Sequence, residues 1–161
     1  MTVLNRRHAL GLIMLTPLAA CSGRGPDISS RSAPEEPPLY PNETPELRRL
    51  INNYADQYQV PRSLVHRLAI RESTHRPWAR NGPYYGLLQI LPQTARTMGH
   101  RGPASALLDA ETNLKYGVKY LRGAYLVAEG DPDDAIGWYA RGYYYEAKRK
   151  GLLVETGLRP A

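Results

Sequence analysis

A chain of 161 residues, 42% of them hydrophobic, suits one folded domain with appendages and is too short for several independent cores. Its single cysteine excludes an internal disulfide and a thiolate-rich metal centre, and its formal charge of +6 suits anionic partners.

The first twenty residues carry Arg6 and Arg7 without an acid and then an apolar run from Ala9 to Ala20, which is the layout of an export signal. The run is interrupted by Thr16 and Pro17 and falls short of the roughly 20 apolar residues a bilayer helix needs. Leu18, Ala19, Ala20 and Cys21 resemble a bacterial lipobox, which implies residues 1–20 as a cleaved leader and Cys21 as the lipidated first residue of the mature chain. The arginine pair leaves both general and twin-arginine export open. Ser22, where an aspartate would resemble an inner-membrane retention signal, favours the outer membrane, and export argues against a nucleic acid as the anionic partner. Residues 21–43 hold Pro26, Pro34, Pro37, Pro38 and Pro41 among few aliphatic residues and read as a disordered tether.

The folded part is expected over residues 44–151, followed by a tail at 152–161. Thr44 can cap a first helix, Pro45 fits its first turn, and Leu47, Leu50, Ile51, Tyr54 and Tyr58 recur at helical spacing up to Pro61. A second helix from Pro61 carries Leu64, Val65, Leu68 and Ala69 and brings Glu72 to its C-terminal end. Pro77, Gly82, Pro83 and Gly86 then demand loop or short extended structure. A short helix follows Pro92 to about Met98. A longer one after Asp109 presents Leu114, Val118, Leu121, Tyr125 and Ala128 on one face until Gly130, and another opened by Asp131 and Pro132 carries Ile136, Trp138 and Tyr139 to Gly142. A tyrosine-rich segment runs on to Gly151, and the class is mainly α.

Glu72 is the only carboxylate among the fifty-two residues between Asp56 and Asp109. On its own, a glutamate at a helix end is ordinarily a solvated surface residue. With an apolar stripe behind it and loops in front, desolvation and the negative end of the helix both disfavour its ionised form and suit it to donate a proton.

The surrounding blocks weigh for the second reading. Glu72-Ser73 is followed by Pro77 and Ala79, by Gly86-Leu87-Leu88-Gln89-Ile90-Leu91-Pro92-Gln93-Thr94-Ala95, and by Asn113-Leu114-Lys115-Tyr116-Gly117-Val118-Lys119-Tyr120-Leu121. Over about residues 47–145 this order resembles the lytic transglycosylases. The resemblance implies a lysozyme-like fold of the α+β superfamily that includes goose-type lysozyme: a single compact helical domain with a substrate groove, acting on peptidoglycan glycan strands without metal or organic cofactor. Glu72 would protonate the bond between N-acetylmuramic acid and N-acetylglucosamine and then, as carboxylate, deprotonate the muramoyl 6-hydroxyl, leaving a 1,6-anhydro end. A lysozyme-like hydrolase and a non-catalytic wall-binding lipoprotein are the alternatives.

The same resemblance makes Gln89 a groove residue whose amide can donate and accept, and sets the Tyr139 hydroxyl near the catalytic carboxyl, with core packing as the plainer role. Asn81 falls where a sugar-contacting serine is usual, and Tyr84 and Tyr85 replace a small pair, so all three are expected to bind substrate. Tyr143, Tyr144 and Tyr145 are further stacking candidates, although a chain with no Phe must use many tyrosines in its core. Ala140 stands where the family usually has asparagine. Ser73 is expected to close the helix end, having no His and Asp partners at convincing spacing. His66, His75 and His100, without cysteines or clustered acids, give no metal-ligand pattern, so no metal site is expected.

Overall fold

The computed structural model describes residues 37–160. The expected leader, Cys21 and the expected tether up to residue 36 lie outside the described residues. Among those described, no helix is long and apolar enough to cross a membrane.

Helix α1 (Pro45–Gln57) begins as its sequence dictates: the Thr44 hydroxyl accepts from Leu47 N at 3.1 Å, and proline occupies the first turn. Helix α2 (Arg62–Ser73) follows Pro61 and stops at Thr74, which takes the left-handed conformation at φ 53°. A two-stranded antiparallel hairpin, β1 (Arg80–Asn81) and β2 (Tyr84–Tyr85), fills the breaker-rich stretch. Helix α3 (Pro92–Thr97) and a 3₁₀ turn (Ala104–Leu108) lead to α4 (Ala110–Val127), capped by the Asp109 carboxylate accepting from Thr112 N. Helix α5 (Pro132–Arg141) is capped by Asp131, which accepts from Asp133 N and Asp134 N, and α6 (Tyr144–Arg149) completes the chain of helices.

Helix α4 is the axis, packing on α1, α3, α5 and the 3₁₀ turn. Its Leu114, Val118, Leu121 and Ala124 are fully buried against Ile51, Leu64, Val65, Leu68 and Ala135, each large aliphatic side chain contributing about 1.5–3 kcal/mol by leaving water. This is the apolar face that the helical spacing marks, with Tyr125 only half-buried. The mainly helical class with few strands is borne out.

Two segments depart from expectation. Residues 37–43, read as the end of a tether, lie against the domain. The Arg48 guanidinium donates to the carbonyls of Pro37 and Pro38 and pairs with the buried Glu43 carboxylate at 2.6 Å, while the Tyr40 ring stacks on His75 at 5.2 Å. An ion pair and a ring stack hold this segment, so its lack of aliphatic residues is no obstacle. Residues 152–160, read as a tail, also dock: Leu153 and Thr156 are buried, Leu152 and Leu158 pack on the core, and the Thr156 hydroxyl donates to Leu152 O at 2.7 Å.

Candidate active site

Glu72 is the penultimate residue of α2 and sits at the foot of a cavity of about 330 Å³ that it shares with Arg71, Asn81, Tyr84, Gln89, Tyr139 and Ala140. A second cavity of about 360 Å³ shares Tyr84, Gln89, Tyr139 and Ala140 and continues past Leu91 and Thr94 to Arg141 and Gly142. Together they form a groove between the end of α2, the hairpin and α5. A larger cavity, about 530 Å³, lies elsewhere, between α1 and the Pro77–Trp78 turn, and is lined by none of the expected catalytic or substrate-binding residues.

The Glu72 side chain is 22% exposed, and desolvation raises its pKa above the ordinary glutamate value. Arg71 opposes that rise, its Nε lying 3.4 Å from Glu72 Oε1. This partner was not read from the sequence, because adjacent residues on a helix ordinarily diverge.

The 86–89 turn faces Glu72 across the groove, and its conformation is heavily constrained. Gly86 takes φ 75°, and a Cβ there would lie 2.1 Å from the Leu107 carbonyl oxygen, so only glycine fits. Gln89 is itself left-handed at φ 45°. Its side-chain amide donates both protons, to Ala79 O at 3.1 Å and Gly86 O at 2.7 Å. The expectation that this amide both donates and accepts is therefore corrected: with both protons engaged in the turn, only its carbonyl oxygen remains for a ligand.

Asn113 on α4 fixes the same turn from behind. Fully buried, it accepts from Leu88 N and donates to Tyr85 O and Leu107 O, each at 2.8 Å. One turn further along α4, Gly117 lets Leu88 come close, since a Cβ would lie 2.8 Å from Leu88 Cδ1. The separated Gly86-Leu87-Leu88-Gln89 and Asn113-x-x-x-Gly117 blocks are thus two halves of one packing unit. The sequence displays both, but only the fold assigns Asn113 this positioning role. Ser73 closes the arrangement as expected of a structural residue: its hydroxyl lies 2.7 Å from Leu87 O and 3.2 Å from Ala69 O, and it accepts from Arg76 N.

Tyr139 is buried, edge-on to Tyr120, and its hydroxyl donates to Leu88 O at 2.9 Å. Burial, reinforced by the neighbouring Glu72 carboxylate, pushes its pKa well above the ordinary value. It is therefore a neutral phenol beside Glu72 whose single proton is already engaged, leaving lone pairs for any further partner.

Asn81 and Tyr84 face each other across the hairpin and share its groove side. Tyr85, paired with Arg80, takes the other side: its ring lies 4.7 Å from the Arg80 guanidinium and packs near Ile90 and Leu107. Its expected place in the groove is corrected for that reason, because successive strand residues point to opposite faces. Tyr143 is a core residue, its hydroxyl donating to Tyr120 O at 2.9 Å, while Tyr144 and Tyr145 are exposed. Arg141, its guanidinium 3.8 Å from the Trp138 ring, adds a cation to the groove's far end that sequence reasoning did not single out.

Comparison with known proteins gives one family, described as the transglycosylase SLT domain, whose model matches residues 49–151. No curated protein and no solved structure matches the chain. The matched span runs from α1 through α6, taking in the end of α2, the 86–89 turn, its buttress on α4 and the groove wall on α5. The chain accordingly belongs to the transglycosylase SLT domain family, as a peptidoglycan-acting protein of the lytic transglycosylase type.

Proposed function

We propose that this domain cleaves the β-1,4 bond between N-acetylmuramic acid and N-acetylglucosamine and closes the muramoyl residue into a 1,6-anhydro ring. The observation that carries this reading is that Glu72 is the only carboxylate lining the groove among the described residues. A hydrolase that inverts or retains configuration ordinarily needs a second acid as base or nucleophile. Lytic transglycosylation needs one: Glu72 gives its proton to the leaving glycosidic oxygen as the C1–O bond breaks, the muramoyl 6-hydroxyl adds to C1, and its proton returns to Glu72. No water is consumed. Attack from within the same sugar gains an effective molarity of order 10⁵ M or more.

The partly desolvated Glu72 carboxyl, kept protonated to higher pH than an ordinary glutamate, supports the first step. Asn81 and the exposed Tyr84 offer a polar contact and an aromatic face for sugar rings, and the Gln89 carbonyl an acceptor for a sugar N–H or O–H. Arg71 and Arg141 suit the carboxylates of peptide stems. The lipobox-like run ending in Cys21 supports a periplasmic enzyme tethered by its lipid, in the outer rather than the inner membrane.

Mass spectrometry of isolated sacculi digested with the full chain tests the reading. Anhydro-muropeptides are expected from the parent, with a loss of about 10²–10⁴-fold in rate for Glu72→Gln. Products with reducing ends would make the enzyme a hydrolase, and equal wall release by parent and Glu72→Gln would remove Glu72 from the chemistry.

A further inference from the structure

Away from the groove, α2 and the loop that follows it bring two histidines against a carboxylate from the segment preceding α1. His66 lies on α2, His75 follows the left-handed Thr74, and Glu43 directly precedes the cap Thr44. All three are buried, with relative exposures of 9%, 0% and 7%. One ligand atom from each lies within 4.8 Å of the others. His66 Nδ1 is 3.3 Å from His75 Nε2 and 3.4 Å from Glu43 Oε1.

The protons in this cluster do not suffice for its contacts. Asn52 Oδ1, which can only accept, lies 3.1 Å from His66 Nε2, so the neutral His66 ring carries its proton there and presents a lone pair from Nδ1. That lone pair faces both His75 Nε2 and the Glu43 oxygen. A proton on His75 Nε2 satisfies the first contact and leaves the second as two lone pairs at 3.4 Å. Three converging electron-pair donors with one proton among them form a ligand set.

Two of the three separations, both from His66 Nδ1, fit a transition metal, and the third lies within 4.8 Å. With metal–nitrogen bonds of about 2.0–2.1 Å, neighbouring ligand atoms of a tetrahedral site lie about 3.3–3.4 Å apart. The Asn52 contact is the outer hydrogen bond that orients a ligating imidazole. Coordination by His75 Nε2 moves its proton to Nδ1, which is buried without a partner among the described residues, so no other bond is broken. Burial lowers the pKa of both histidines, the direction that favours the neutral rings ligation uses.

Arg48 is the opposing charge, bonded through Nε to Glu43 Oε1 at 3.1 Å and through Nη2 to Oε2 at 2.6 Å. It disfavours calcium or magnesium, which bind mainly through oxygen and charge, and leaves the advantage to ions with intrinsic affinity for imidazole. We propose that Glu43, His66 and His75 bind one divalent transition-metal ion, with zinc the best match, and that the ion staples residues 37–43 to α2 and to the loop behind Glu72.

The test uses the full chain, stripped with a chelator and titrated with zinc chloride against a chromogenic competitor, with cobalt(II) spectra and thermal unfolding in parallel. One zinc per chain is expected, with intense visible cobalt bands of tetrahedral nitrogen and oxygen ligation and a higher unfolding midpoint. His66→Gln and His75→Gln should each abolish stoichiometric binding with far-ultraviolet circular dichroism unchanged. Asn52→Ala should weaken it by about 10–100-fold, and His100→Gln should leave it as in the parent. Absence of stoichiometric binding by the stripped parent, which needs no variant to fold, would overturn the proposal. So would undiminished binding in both folded histidine variants.

Discussion

Replacing Asn113 by alanine probes the link between α4 and the groove most directly. The side chain is fully buried and makes three hydrogen bonds of 2.8 Å, to Leu88 N, Tyr85 O and Leu107 O. In the variant the Tyr85 carbonyl keeps its bond from Ile90 N at 3.1 Å, whereas Leu88 N–H and Leu107 C=O lose the partner Asn113 supplies. At about 1–3 kcal/mol for each buried backbone group left unsatisfied, the expected destabilisation is about 2–6 kcal/mol. That is a large share of the roughly 5–15 kcal/mol by which a domain is stable. With a urea slope of about 2 kcal/mol/M, the unfolding midpoint should fall by about 1–3 M. Because the same bonds seat the turn that carries Gln89, anhydro-muropeptide production should also drop at urea-free conditions where the variant is still folded. A destabilisation below about 0.5 kcal/mol, typical of surface substitutions, with activity intact would refute the assignment of Asn113 as the buttress of the groove.

Glu72→Gln should stabilise the fold near neutral pH. Desolvation raises the folded-state pKa of Glu72, so its ionisation opposes folding from the ordinary glutamate range upward, and the advantage of the variant should vanish as pH falls below that range. Urea midpoints across pH check this, and a variant less stable than the parent at pH 7 would contradict it. Arg71→Gln removes the cation that opposes the rise, so the basic limb of the kcat/KM profile should move to higher pH; an unmoved limb would show that the 3.4 Å contact does not influence Glu72 in turnover. Gly117→Ala inserts a Cβ 2.8 Å from Leu88 Cδ1 and should cost about 1–3 kcal/mol by overpacking, read from thermal unfolding. Tyr139→Phe should leave Leu88 O without its 2.9 Å bond and cost about 1–3 kcal/mol, with no loss of stability if that carbonyl finds another donor.

The sequence by itself determined α1 to α5 and where they begin, because these rest on local physics, whereas α6 and the 3₁₀ turn carry no such periodic signal. Thr44, Asp109 and Asp131 cap where they stand, and the spacing of Leu114, Val118 and Leu121 names the buried face of α4. Glu72 at the end of α2 was legible as an isolated acid behind an apolar stripe, and Tyr84 and Asn81 as residues of the breaker-rich rim. Tertiary structure alone decided which partners the side chains took. Gln89 lost its donors to the turn it belongs to, Tyr139 committed its hydroxyl hydrogen bond to Leu88 O, and Tyr85 turned away from the groove because strand residues alternate. It also decided that Glu43, His66 and His75 meet, and that residues 37–43 and 152–160 pack against the domain. Such outcomes depend on hydrogen bonds, ion pairs and ring stacks between groups distant along the chain. Periodicity and capping report only on neighbours a few residues apart, so these contacts leave no trace in the order of the residues.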